Sequence, residues 1–325
     1  MRLAILADIH GNLPALEAVI AKLEQLQPDM VVVNGDIVNG VPFSNAVLDK
    51  IINYARKDDW IVTRGNHEFY YLDYGTERAE PGRDDPERWG TLHWLVEQMP
   101  PAYGIYLATL PDEYTFYFPN AQPLRLAHGV PGNNRIGFEV EQLEVKIAEK
   151  IAHVAEATLI SAHTHVQIDR HIRHAVGRIE ERSCHLVNPG SVGIPMNGDS
   201  DAQFAMLESV SEDVEPGGWQ CTHYSVHYDR CPALEEYFRS GMLEAGGIVG
   251  QLFYWEMVTN VPEITPFFCW TYEKGLHLDD LTKTFLTYIT TTGREQYVRE
   301  KDPLGSSSLV SFASKRITQQ FHSIV

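Results

Sequence analysis

The chain of 325 residues has few cysteines, few cations relative to acids, and no long uninterrupted apolar run. Its four cysteines, Cys184, Cys221, Cys231 and Cys269, form no Cys-x-x-Cys pair and follow no regular spacing. That spacing does not point to a disulfide framework, and a chain of this length does not need one to hold a core. Free thiols in a reducing compartment follow, and the cytoplasm is the expected location. Lysine plus arginine number 26 against 44 acids, a formal charge of −18. So acidic a protein does not hold long nucleic acids or anionic membranes by bulk charge. A phosphate substrate stays open where metal ions reverse the sign locally. The first apolar run, Leu3 to Ala7, is too short for a signal-peptide core, and Asp8 and His10 follow at once. The stretch from Gly246 to Tyr272 is interrupted by Gln251, Glu256, Asn260 and two prolines, so it is not a membrane span. No internal repeat is visible.

What is present is a recurring unit: a short apolar, β-rich run that ends in Asp, Asn or His. Leu3 to Ala7 leads to Asp8-Ile9-His10, Met30 to Val33 to Asn34-Gly35-Asp36, and Trp60 to Thr63 to Arg64-Gly65-Asn66-His67-Glu68. Leu124 to Ala127 leads to His128-Gly129, Thr158 to Ser161 to Ala162-His163-Thr164-His165, and His185 to Val187 to Asn188-Pro189-Gly190-Ser191. Nearly continuous apolar runs mark strands covered on both faces. Helical spacing lies between them, over Leu13–Leu26 with Asn12 as N-cap, Val47–Tyr54, Trp89–Met99 and Leu143–Val154. Strand, polar loop and helix in alternation predict an α/β fold, with ligands collected at the carboxyl ends of the strands. Phe204–Glu208 and Cys221–Tyr228 read as closing strands. Asp73–Arg88 reads as a loop that overhangs the site. From residue 229 the pattern turns helical, with helices over Leu234–Leu243 and Asp280–Thr290 and a flexible stretch at Leu304–Leu309. The expected organisation is a catalytic domain over 1–228 and a mostly helical C-terminal extension over 229–325. The extension offers surface for a homo-oligomer.

Asp8, His10, Asp36, Asn66, His67, His128, His163 and His165 all fall at predicted strand ends. Two carboxylates, an amide and several imidazoles are donors that Mn, Fe, Ni or Zn accept. Two such ions can clamp a phosphate and bridge a hydroxide that attacks phosphorus in line. Each motif is weak by itself; their conjunction in order is not. His163 and His165, read as alternate strand positions, point both imidazoles the same way. Arg64 and Arg135 are candidates for contact with substrate, Arg64 equally for a structural role. The remaining histidines, His171, His185 and His223 among them, read as surface or core. Phe253, Trp255, Phe267 and their aromatic neighbours read as packing of the extension.

Asp8-Ile9-His10-Gly11-Asn12, Gly35-Asp36, Gly65-Asn66-His67-Glu68, His128-Gly129 and His163-Thr164-His165 resemble the five signature blocks of the calcineurin-like metallophosphoesterases. Gly35 to Pro42 and Asn188 to Gly193 further resemble its compact bacterial and archaeal phosphodiesterase-like branch. The resemblance covers most of residues 1–228. It implies a sandwich of two β-sheets flanked by helices, with a binuclear site at one edge. It implies that Asp8, His10 and His165 hold one divalent ion, that Asn66, His128 and His163 hold a second, and that Asp36 bridges them. His67 would stand near the leaving-group oxygen as general acid or transition-state stabiliser. Asn39 and Gly40 stand where phosphoprotein phosphatases of the superfamily carry an acid and an arginine, so the acid that orients the histidine and the arginine that clamps phosphate are missing. The expected activity is metal-dependent hydrolysis of phosphodiesters or small phosphorylated compounds. The alternatives are a catalytically silent scaffold on the same fold, a phosphomonoesterase or dinucleoside polyphosphate hydrolase, and a DNA nuclease, which the acidity disfavours.

Overall fold

A computed structural model describes residues 1–176, 180–276 and 280–305. Two five-stranded sheets face each other. The first has the order β10 (Trp219–Val226), β9 (Ala202–Ser209), β1 (Arg2–Leu6), β2 (Met30–Asn34), β3 (Ile61–Thr63). The second has the order β4 (Glu113–Phe118), β5 (Ala121–Ala127), β6 (Thr158–Ile160), β8 (Glu180–Asn188), β7 (Ile168–Val176). The strands β1, β2 and β3 run parallel, as do β5, β6 and β8, while the outer pairs are antiparallel.

Period-two alternation explains the layers. Leu3, Ile5, Val32, Leu124, Leu126, Ile160 and Val187 turn inward and form the core between the sheets. Ala4, Leu6, Val31 and Val33 turn outward onto the helices α1 (Leu13–Leu26) and α2 (Ser44–Lys57). Ala127, Leu159, Leu186 and Ile172 turn outward on the other side, onto α6 (Glu144–Ile151). With both faces covered, Leu3 to Leu6 of β1, Val31 to Val33 of β2 and Leu159 to Ile160 of β6 are buried and apolar at every position. On α1, Leu16, Val19, Ile20 and Leu23 are buried, and Asn12 Oδ1 caps the helix by accepting from Ala15 N at 3.2 Å. Each buried side chain contributes about 1.5–3 kcal/mol, more than the spread of helix propensities, so burial decides the helix.

Several expected boundaries shift. After α3 (Asn66–Asp73), α4 (Pro86–Gln98) begins at Pro86 and not at Trp89, because Asp85 caps it and Pro86 suits its first turn. The helix α5 (Pro101–Thr109) and the strands β4 and β7 were not foreseen. As edge strands, β4 and β7 keep polar residues between their apolar ones, so the continuous-run signal is absent. The helix expected over Leu234–Leu243 is broken at Gly241, which takes φ 78°, into α7 (Cys231–Arg239) and α8 (Met242–Ala245). The stretch Leu304–Leu309 lies mostly outside the described residues.

The apolar stretch after Gly246 forms α9 (Gly247–Thr259) and α10 (Ile264–Glu273), separated by Asn260 at φ 55°. Every residue of α9 is buried, which is why it shows no helical periodicity. Around it pack α7, α8, α11 (Leu281–Thr292) and α12 (Arg294–Lys301), and the same cluster takes in Val41 and Ile194 from the loops beside β2 and β8. Phe253, Trp255 and Phe267 belong to this packing. No helix of the described residues is long and apolar enough to cross a membrane.

Candidate metal centre

The loops after β1, β2, β3, β5 and β6 converge at one end of the sandwich. They bring together all seven predicted donors, Asp8, His10, Asp36, Asn66, His128, His163 and His165, with His67 beside them. Donor atoms of Asp8, His10, Asp36 and His165 form one group and those of Asp36, His128 and His163 another, with Asp36 in both. His10 Nε2 lies 3.0 Å from His165 Nε2 and 3.6 Å from Asp36 Oδ2. His165 Nε2 lies 3.5 Å from Asp8 Oδ1. His128 Nε2 lies 3.1 Å from both Asp36 Oδ2 and Asn66 Oδ1, and His163 Nδ1 lies 2.8 Å from Asn66 Oδ1.

The backbone bends sharply to do this. Asp8, His10, Asp36, His163 and His165 all have φ between 50° and 70°, a region that L-residues with side chains seldom occupy. Such conformations persist where surrounding structure enforces them, and they gather at functional sites. Here the enforcing contacts are backbone hydrogen bonds, His10 N to Asp36 O at 2.8 Å and Gly193 N to Asp8 O at 2.9 Å among them. The pair His163 and His165 thus lies beyond β6 and not on it, and the two rings serve opposite sides of the centre. That corrects the alternate-strand expectation. The Asn188–Ser191 turn packs beneath: Asn188 Nδ2 donates to Ala162 O at 3.0 Å and Ser191 Oγ to Asp8 O at 2.8 Å. Glycine is required at Gly35, which takes φ 75° and where a Cβ would meet Gly65 N at 2.5 Å and His128 Nδ1 at 2.7 Å.

The donors fit a cation. The Nδ1 atoms of His10, His128 and His165 face the backbone oxygens of Asn39, Asn34 and Ile194 at 3.0, 2.8 and 2.7 Å. With Nδ1–H donating outward, each ring turns a bare Nε2 lone pair inward, the usual outer support of ligating imidazoles. The Nε2 lone pairs of His10 and His165 then oppose each other, and buried Asp8 Oδ1 accepts no hydrogen bond. Asn66 Oδ1 faces other acceptors; with the amide rotated, its Nδ2 would donate to His163 Nδ1 at 2.8 Å and His128 Nε2 at 3.1 Å. A cation relieves each of these conflicts. Burial pushes His165 down to about 3 and, together with His128, His163 to about 4, so both rings stay neutral. Burial raises Asp8 well above the usual carboxylate range, whereas His128 and His67 outweigh burial at Asp36 and hold it well below. Burial opposes a charge on His128, but Asp36 beside it carries its pKa to about 10.

Three residues gain roles that sequence reading did not assign. Glu68, the third residue of α3, accepts from four backbone N–H groups: Gly65 at 2.7, Asp36 at 2.8, Ile37 at 2.7 and Val38 at 3.1 Å. It ties the β2 loop to the start of α3. Burial and the charge of Asp36 push its carboxyl up to about 7, while the N–H donors favour the ionised form. Its place three residues after Gly65 was the available signal. Asn39 takes over the orienting role of the missing acid. Its Oδ1 accepts from Gly40 N at 3.0 Å, which leaves Nδ2 to donate to His67 Nδ1 at 3.1 Å. Glu256, on α9, accepts at Oε1 from Glu263 N and Ile264 N at 3.0 and 3.1 Å, while its buried Oε2 has no partner. Arg64, in contrast, is spent on Asp112 and on the ring of Phe69. Its role is structural.

Burial pushes Glu256 up to about 7 from an ordinary 4.5. An acid whose folded pKa is raised adds stability in full below its unfolded pKa and loses it as pH climbs through the folded value. Glu256→Gln is therefore expected to melt close to the wild type at pH 5 and above it at pH 8. Paired melting curves at the two pH values check this, and an equal difference at both would refute it.

The architecture is that of the metallophosphoesterase fold. A family model for calcineurin-like phosphoesterases matches residues 1–182, and the chain belongs to that family. A metallophosphoesterase from Sphaerobacter thermophilus aligns over 80% of this chain and 100% of its own at 20% identity and a TM-score of 0.58. A hypothetical protein from Pyrococcus horikoshii OT3 aligns over 74% of this chain and 94% of its own at 22% identity and a TM-score of 0.61. These two share the fold. No curated protein matches the chain.

Proposed function

We propose that the protein is a metal-dependent phosphoesterase that hydrolyses small phosphodiesters or phosphoanhydrides with acidic leaving groups. The observation that carries this reading is the meeting of all seven donors around Asp8 and Asp36. Asp8, His10 and His165 would hold one divalent ion and Asn66, His128 and His163 a second, with Asp36 between them. When bound, such ions supply Lewis-acid polarisation of the phosphoryl oxygens and a nucleophile from water near neutral pH.

The chain's own residues supply the rest. The centre opens into a cleft of about 930 Å³. Arg88 and Lys150 line it, as do Trp89, Phe253 and Phe268, and Arg135 lines it while paired with Glu80 at 2.8 Å. Cations for phosphate oxygens and aromatic faces for an organic group favour a substrate carrying both. The acidic exterior disfavours polyanions, so small phosphates suit the site better than long nucleic acids. His67 also lines the cleft, and Asn39 holds its Nδ1 as an acceptor, so its proton sits on Nε2. Burial lowers its pKa further. A neutral ring in this tautomer donates a hydrogen bond to the leaving oxygen but resists full proton transfer. Leaving groups that need no proton are therefore preferred.

The test is hydrolysis of bis(p-nitrophenyl) phosphate by chelator-stripped protein, with Mn²⁺ added back. Activity is expected to vanish on stripping and return with Mn²⁺; indifference to chelation overturns the reading. Because a positioned acid is worth about 10²–10⁴-fold, aryl esters should exceed alkyl esters by about 10²-fold or more. Equal rates on both would overturn the role given to His67.

A further inference from the structure

Outside the strand-end cluster, a second group of donors stands at the open edge of the sandwich. His171 on β7 pairs directly with His185 on β8, and their rings stack at 4.5 Å with 23° between planes. Glu215, in the turn between β9 and β10, places Oε1 2.6 Å from His171 Nε2. One donor atom from each of His171, His185 and Glu215 lies within 4.8 Å of the other two.

The second observation is an orphan. The His185 side chain is 1% exposed; its Nε2 lies 2.7 Å from Asp169 Oδ1, and its Nδ1 has no partner. With Nε2–H given to Asp169, Nδ1 keeps a bare lone pair inside the protein, and a buried acceptor without a partner requires an explanation. A carboxylate on the far nitrogen is also the support that ligating imidazoles commonly have. The turn is already seated: Thr158 Oγ1 donates to Gly217 O at 3.2 Å, and a Cβ on Gly217 would lie 3.4 Å from His185 Cβ. Glu215 is thus presented to the two rings by backbone packing.

We propose that His171, His185 and Glu215 bind one divalent transition-metal ion of the zinc class, tying the β9–β10 turn of one sheet to the β7–β8 edge of the other. Two imidazoles and one carboxylate suit Zn, Ni or Cu rather than Mg or Ca. Three protein ligands leave a fourth position, which solvent can fill because His171 is exposed. The site shares no residue with the strand-end cluster, so it stands or falls independently of the phosphoesterase reading.

The test uses the full chain without an affinity tag, stripped and reloaded with Zn²⁺ alone. Zinc per chain is counted after gel filtration, and melting is followed with and without Zn²⁺. Glu215→Gln and His171→Ala are each expected to carry about one zinc fewer than the wild type. Both should lose part of the zinc-dependent rise in Tm and keep full phosphoester hydrolysis. Glu215→Gln is a conservative change on a surface turn, and circular dichroism confirms its fold, so it decides the matter if His171→Ala fails to fold. Equal zinc content and equal melting shifts in all three proteins would overturn the proposal.

Discussion

Asp36→Asn is expected to lower kcat/KM on bis(p-nitrophenyl) phosphate by about 10³-fold, some 4 kcal/mol at 1.36 kcal/mol per decade. The variant should lose metal at the same time. Asp36 is the one side chain within both donor groups. Its Oδ2 faces His128 and His10 at 3.1 and 3.6 Å, and its Oδ1 accepts from His67 N at 2.8 Å. An asparagine retains the shape and one acceptor, so the backbone of the loop survives. It removes the negative charge and turns an N–H toward the centre, where a cation would have to sit. Metal content by mass spectrometry and steady-state kinetics, measured on the same preparation, check the result. More than a tenth of the wild-type activity with normal metal content would sink the assignment of Asp36 as the shared donor.

Glu68→Ala should cost about 4 kcal/mol of stability and all hydrolysis. Its four backbone partners are buried N–H groups, each leaving an unmet donor worth about 1–3 kcal/mol before relaxation. Ordinary surface substitutions stay within about 0.5 kcal/mol, so the effect is diagnostic. Glu68→Gln separates charge from volume. One of its two terminal atoms becomes a donor facing donors, so it should lose at least half of the stability that the alanine variant loses. Urea denaturation at constant m-value measures both. A glutamine variant as stable as the wild type would show that packing, not acceptance of these N–H groups, is what Glu68 provides. Activity falls with stability because Asp36 N and Gly65 N are among the bonds lost, and these position the loops that carry Asp36 and Asn66.

The donors around Asp8 were legible because each follows an apolar strand, and the carboxyl ends of the parallel strands meet at one edge. The residues that hold those donors in place were not. Glu68 reads as an ordinary helix-start acid until its four N–H partners are seen. Asn39 reads as a missing acid until Gly40 N fixes its amide and turns Nδ2 to His67. His163 and His165 stand two residues apart yet serve different sides, because both take the left-handed backbone after β6. His171 and His185 look unrelated until strand pairing sets them opposite each other.

The inner strands, α1 and the polar strand ends were settled by sequence alone, since alternation and apolar runs record which faces are buried. Tertiary structure alone decided the edge strands β4 and β7, the break at Gly241 and the wholly buried α9, whose signals vanish when a segment is covered on one side only or on every side. It also decided which neutral side chains face which lone pairs. Hydrogen-bond direction and opposed donors depend on contacts between loops 32 to 155 residues apart, and no local pattern encodes those.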